Sequence, residues 1–193
     1  MKRKIIHIVV FFASLLSLNQ VHAQAWTSFG STVGLELKQN NASYESAFSP
    51  DVELGFRWPT TVGFGAVVDL RWINTEKIEW FSDYKFIWDV YVGPSFFFRF
   101  GDDYRTGILL NTFFGYSTSG AWFDPDVSSG SFSIKLSADL VIKGVMIGAF
   151  WYPLKQHVEG NSSSSKYGGN MRFGEFDMPS RFGLRIGYVF TFS

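Results

Sequence analysis

From Arg181 to Ser193 the chain alternates residue by residue. Phe182, Leu184, Ile186, Tyr188, Phe190 and Phe192 fall on one face, and Arg181, Gly183, Arg185, Gly187, Thr191 and Ser193 on the other, with Val189 the exception. A period of two belongs to a β-strand, whose successive side chains leave opposite sides of the sheet. A face that stays apolar over so long a strand must be covered, by a protein core or by lipid.

The same division recurs upstream. Thr27 to Lys38 sends Phe29, Val33, Leu35 and Leu37 one way and Gly30, Thr32, Gly34 and Glu36 the other. Asp51 to Trp58 sets Val52, Leu54, Phe56 and Trp58 against Glu53, Gly55 and Arg57, and Thr61 to Ile73 sets Phe64, Val68, Leu70 and Trp72 against Gly63, Gly65, Asp69 and Arg71. Four more segments follow: Asp83 to Phe100, with Asp89 on its polar face; Asp103 to Ser117; Ser131 to Ile142, with Lys135 and Asp139; and Val145 to Pro153. Two places depart from the pattern. Pro94 cannot donate to a ladder, so a bulge or local break is expected there. In the segment from Val145, Met146 and Phe150 share the face of Gly148.

Connections between these segments alternate in length. Pro59-Thr60, Gly101-Asp102 and Lys143-Gly144 read as tight turns, whereas Gln39 to Pro50, Asn74 to Ser82, Thr118 to Gly130 and Lys155 to Pro179 read as long loops. After the first residues no run approaches the roughly 18 apolar residues of a spanning helix. Yet aromatic residues make up 19% of the chain, with 22 Phe and 7 Trp. Trp58, Trp72, Tyr84, Tyr104, Tyr116 and Trp151 fall near segment ends, where interfacial girdles form. One architecture accommodates all of this: an all-β, eight-stranded antiparallel transmembrane β-barrel with short turns at one end and longer loops at the other.

The amino terminus reads as a cleaved signal. Lys2, Arg3 and Lys4 precede an apolar stretch from Ile5 to Leu18 and a small-residue site, Val21-His22-Ala23, which places the signal at 1–23 and the barrel at 24–193. Ala25 offers a second cleavage site. With no cysteine, neither a disulfide framework nor lipidation at a Cys is expected. Seventeen basic residues balance 17 acidic ones, so the charge footprint of a nucleic-acid binder is missing.

The carboxyl terminus resembles the sorting signal of bacterial outer-membrane barrels, carried here by Arg185, Gly187, Phe190 and Phe192. The resemblance implies insertion by the barrel-assembly machinery into the cell outer membrane of a Gram-negative bacterium, among outer-membrane lipid and lipopolysaccharide. The whole segment after the signal resembles the small barrels of the OmpX and OmpA-transmembrane type. That likeness implies a fold rather than an activity.

The polar face collects Glu36, Glu53, Asp69, Asp89 and Asp139 beside Arg57, Arg71, Lys135 and Arg185. Charges in a lumen about wide enough for side chains are costly unless paired, so a salt-bridged plug is expected, with a narrow channel as the competing reading. After the signal His157 is the only histidine. Its place just past the segment ending at Pro153 resembles that of the active-site histidine in lipid A deacylases of the PagL type. The family's serine position is occupied by Glu159 in His157-Val158-Glu159-Gly160-Asn161-Ser162, so the motif departs at its nucleophile. Asp124-Pro125-Asp126 lacks the further ligands of a calcium loop, and no metal or cofactor is expected. The expected role is non-enzymatic, structural or adhesive, with an unidentified surface partner; a lipid A-modifying enzyme using His157 is the alternative.

Overall fold

The computed structural model describes residues 23–39, 42–58, 62–72, 86–101, 105–119, 127–129, 131–162 and 171–192. The strands are β1 (Ala23–Gln39), β2 (Ala42–Arg57), β3 (Val62–Trp72), β4 (Phe86–Arg99), β5 (Gly107–Ser119), β6 (Val127–Ser129), β7 (Ser131–Ile142), β8 (Val145–Tyr152), β9 (Gln156–Ser162), β10 (Met171–Met178) and β11 (Arg181–Phe192). Eight of them form the wall, in the order β11-β8-β7-β5-β4-β3-β2-β1. The ladder from Ala23↔Phe192 to Thr32↔Gly183 joins β1 to β11 and closes the barrel. Every pairing is antiparallel.

Closure leaves no edge in the wall, so each backbone N–H and C=O can be satisfied without water. The side chains then sort by parity. On β11, Phe182, Leu184 and Ile186 are 57%, 60% and 55% exposed, whereas the intervening Arg185 is buried. Phe29, Leu54, Phe64, Phe114, Phe132 and Ile147 point outward in the same way on other strands. This polarity is inverted relative to a soluble protein, and it is stable where lipid meets the outer face. Trp58, Trp72, Tyr116 and Trp151 are exposed near the wall's ends, as girdle residues are. Tyr84 and Tyr104 lie outside the described residues.

Of the expected connections, Pro59-Thr60, Asp102 and Asn74 to Ser82 lie outside the described residues. Between β7 and β8, Lys143 (φ 52°) and Gly144 (φ 91°) form a two-residue turn with both central residues left-handed, the twist that suits a tight hairpin. At the other end the strands outrun the expected loops. The stretch from Gln39 to Pro50 is not a long loop, because β1 and β2 continue as a ladder to Gln39↔Ala42. Pro50 tolerates strand conformation since the β3 partners of β2 begin only at Asp51. The stretch from Thr118 to Gly130 contains β6, and that from Lys155 to Pro179 contains the β9/β10 hairpin, which pairs with β6 and with β1 at Lys38↔Asp177.

Three local expectations change. At Gly34 the backbone takes φ 62°, and the alternation of β1 reverses beyond it: Val33 still faces out, but Leu35 is fully buried and Glu36 turns to the surface. Pro94 makes a break without a bulge. It pairs with Phe64 on β3, while on β5 the ladder skips from Val92↔Phe114 to Ser95↔Asn111 in unchanged register. On β8, Met146 and Phe150 face inward because the lumen holds an apolar layer as well as charges.

Candidate functional site

Strand register places Glu53, Asp69 and Asp89 directly beside one another on the inner faces of β2, β3 and β4. Like charges in adjacent cross-strand positions repel, so this row holds together only if cations enter it. They do. Lys135 reaches across from β7 to lie 2.5 Å from Glu53 Oε2 and 2.8 Å from Asp69 Oδ2. Arg71, one inner position beyond Asp69 on β3, pairs with Asp89 and lies 3.8 Å from Asp69.

Arg185 completes the arrangement from β11. It donates to Asp139 through Nε at 2.7 Å and Nη2 at 2.6 Å, to Ser137 at 2.9 Å, and to Glu53 through Nη1. A two-point grip of this kind uses the planar guanidinium in a way a lysine does not. Seven of the nine residues expected in the interior network thus join one cluster: Glu53, Asp69, Arg71, Asp89, Lys135, Asp139 and Arg185.

The other two lie elsewhere. Arg57 is buried nearer the short turns, donating to Gln24 Oε1 at 2.7 Å and Ser95 Oγ at 3.0 Å. It joins the cluster through Ser95, Asn111 and Ser137. Glu36 is not an interior residue. After the reversal at Gly34 it pairs with Lys38 at 3.4 Å and accepts from Ser43, whose hydroxyl, foremost among its neighbours, holds the carboxyl below its ordinary value.

Sequence reasoning missed Asp51 and Arg181, both buried at the outer ends of their barrel segments. Parity alone marks them: Asp51 shares the face of Glu53, and Arg181 that of Arg185. It also missed the aromatic share of the filling. Tyr152 donates to Asp69 Oδ2 at 2.8 Å, and its ring lies 4.3 Å from the guanidinium carbon of both Arg71 and Arg181. Trp26 donates to Glu53 Oε1 at 2.6 Å.

Glycines make room for these rings. Trp26 lies opposite Gly55, Tyr91 opposite Gly115 and Phe150 opposite Gly183, and a Cβ on each glycine would collide with the facing ring. Toward the short turns, Phe97, Leu109, Val141, Met146 and Val189 form an apolar floor, with the Arg57 guanidinium 5.7 Å from the centre of the Phe97 ring. Paired charges and packed hydrocarbon both occupy the lumen.

A closed antiparallel barrel, apolar outward and charged inward, is built for a bilayer. It has the architecture of a small eight-stranded transmembrane barrel. No family model and no curated protein matches the chain. Among solved structures it is similar to the outer membrane protein OprG from Pseudomonas aeruginosa, at 9% identity and a TM-score of 0.48, covering 89% of this chain and 96% of that one. It is also similar to Ail, the attachment invasion locus protein of Yersinia pestis, at 11% identity and 0.40, covering 89% and 100%. A third is the outer membrane protease OmpT from Escherichia coli, at 7% and 0.41, covering 91% and 99%. At such identities nothing about activity transfers.

The expected sorting residues lie along β11: Arg185 inside, Gly187 packed against Thr27 and Ser28 of β1, and Phe190 and Phe192 outward. His157, on β9 beyond the wall, is exposed, with Nδ1 2.8 Å from Asp177 Oδ1; Lys155 Nζ lies 2.7 Å from Asp177 Oδ2. Partial burial pulls the Asp177 carboxyl up, but the hydrogen bonds from Lys155 and His157 outweigh it and hold the group below its ordinary value of 3.8. The side chain of Glu159 and the segment Asp124-Pro125-Asp126 lie outside the described residues.

Proposed function

We propose that this is a non-enzymatic, non-conducting barrel whose structural or adhesive role is exercised at its outer end. The observation that carries the reading is the double filling of the lumen. The charge cluster from Glu53 to Arg185 occupies the middle, and the floor of Phe97, Leu109, Val141, Met146 and Val189 lies beneath it. Ions crossing such a lumen would have to part buried ion pairs and then enter hydrocarbon, both strongly unfavourable. What remains for recognition is the outer end, where β1, β2, β6, β9 and β10 extend the sheet past the apolar belt. Lipopolysaccharide and an unidentified surface partner are the ligands this surface would meet, with insertion by the barrel-assembly machinery.

Single-channel recording of purified protein in planar bilayers tests the reading. Silent membranes containing folded protein are expected; a steady conductance favours the narrow-channel alternative. Adhesion is tested separately, by comparing attachment of cells with and without the gene.

One observation favours a second reading, a lipid A-modifying enzyme. Asp177 holds His157 through Nδ1, as a carboxylate orients the base of an acyl hydrolase. Mass spectrometry of lipid A from cells with and without the gene separates the two: a changed acyl pattern favours the enzyme, an unchanged one the surface barrel.

A further inference from the structure

Asp51 is buried to 2% exposure, and neither of its carboxylate oxygens has a hydrogen-bond partner among the described residues. Its cross-strand neighbour on β3 is Arg71, a natural partner, yet the Arg71 guanidinium pairs with Asp89 instead. The Arg71 guanidinium is held by Asp89 and by the Tyr152 ring at 4.3 Å, which leaves its Nε and Nη1 without acceptors among the described residues. On the other side of Asp51, β1 presents Gly30, flanked on the same inner face by the buried hydroxyls of Ser28 and Thr32, which also have no partner among the described residues. Gly30 lets β1 come close to this group: a Cβ there would stand 2.7 Å from Asp51 Oδ1, 2.9 Å from the Leu184 carbonyl oxygen and 3.1 Å from Arg185 Cβ.

Unpaired buried polar atoms are uncommon, and here they gather on neighbouring positions of β1, β2 and β3. We propose that the inner face around Gly30 is a buried hydration site, where ordered water joins the Asp51 carboxylate to Arg71 Nε and Nη1 and to the hydroxyls of Ser28 and Thr32.

The choice of ligand follows from the mixture of groups. Asp51 needs donors and Arg71 needs acceptors, and one water molecule supplies both while making about three hydrogen bonds. A metal ion would satisfy the carboxylate but leave the Arg71 N–H groups bare, and it would sit near the positive charges of Arg71 and Arg185. An anion would satisfy Arg71 and be repelled by Asp51. The site is independent of conductance, because the apolar floor lies below it.

The test uses the unmodified barrel folded in lipid, with water itself as the probe. Magnetisation transfer from water to protein in solid-state NMR is expected to reach the Arg71 side chain and the Thr32 hydroxyl early, while Leu109 and Val141 stay dark. A crystal structure at a resolution that shows water should place density between Asp51 and Arg71. Arg71 as slow as Leu109, a direct Asp51 to Arg71 ion pair, or a cation in that density overturns the proposal. A conducting barrel with a hydrated Asp51 would fail only the plugged-lumen reading.

Discussion

Arg185 and Asp139 meet in a two-point contact, 2.7 and 2.6 Å, between strands that are not neighbours in the wall. The contact spans the lumen rather than a ladder, so it ties β11 to β7 past β8. Truncation by Arg185→Ala would leave Asp139 and Glu53 buried without their shared cation. A loss of about 3–5 kcal/mol in unfolding free energy is expected, the usual cost of stranding a buried charge. Urea titration of the refolded barrel measures it. The double variant with Asp139→Asn should lose less than the sum of the two single losses, because the partners are coupled.

Gly55→Ala is expected to cost about 1–3 kcal/mol, since the new methyl enters the space of the Trp26 ring and the core repacks. Tryptophan emission should shift as Trp26 is displaced from Glu53. Gly34→Ala meets open space and only a backbone penalty at φ 62°, about 1–2 kcal/mol, with emission unchanged. Thermal melts with fluorescence distinguish the two.

The mature chain is expected to start at Gln24. Gln24 Oε1 accepts from the buried Arg57 at 2.7 Å, and cleavage after Ala25 would remove that acceptor. Intact-mass spectrometry of protein purified from membranes reads the start directly; a start at Trp26 would count against this pairing.

Acidification should leave the outer hairpin contact intact until unusually low pH. Asp177 has a depressed carboxyl, so its contribution is complete above the ordinary value of 3.8 and is lost only as the pH falls through the lower folded value. The partners are exposed, so the effect on global stability is small. NMR titration of the Asp177 carboxyl carbon is expected to show a midpoint below 3.8; one above it contradicts the contact with Lys155.

Strand parity was legible wherever lipid enforces it. Leu184 and Arg185 differ in surroundings so sharply that alternation alone sorts them, and the same holds for Leu54 and Glu53. It failed at Leu35 and Glu36 because glycine hides a change of backbone hand: Gly34 reads as an ordinary small inner residue, and only φ shows otherwise. Asp51 and Arg181 were overlooked because they sit where the expected segments begin, beside presumed loops. Beyond the bilayer nothing forces alternation, so the continued ladder from Pro50 to Ala42 and the β9/β10 hairpin carry no strong periodic signal. Burial of Trp26 and Tyr152 was unreadable for another reason: an aromatic residue suits a girdle and a lumen equally, and the deciding partner, Gly55 or Asp69, is remote in sequence.

The inverted polarity of the wall is tested most directly along β11. With the barrel in bilayers carrying a paramagnetic label on the acyl chains, side-chain NMR signals should be quenched with a period of two. Leu184, Ile186 and Phe190 are expected to broaden, while Arg185 and Val189 stay sharp. Equal quenching along the strand, or the opposite parity, would contradict a barrel that turns its apolar face to lipid.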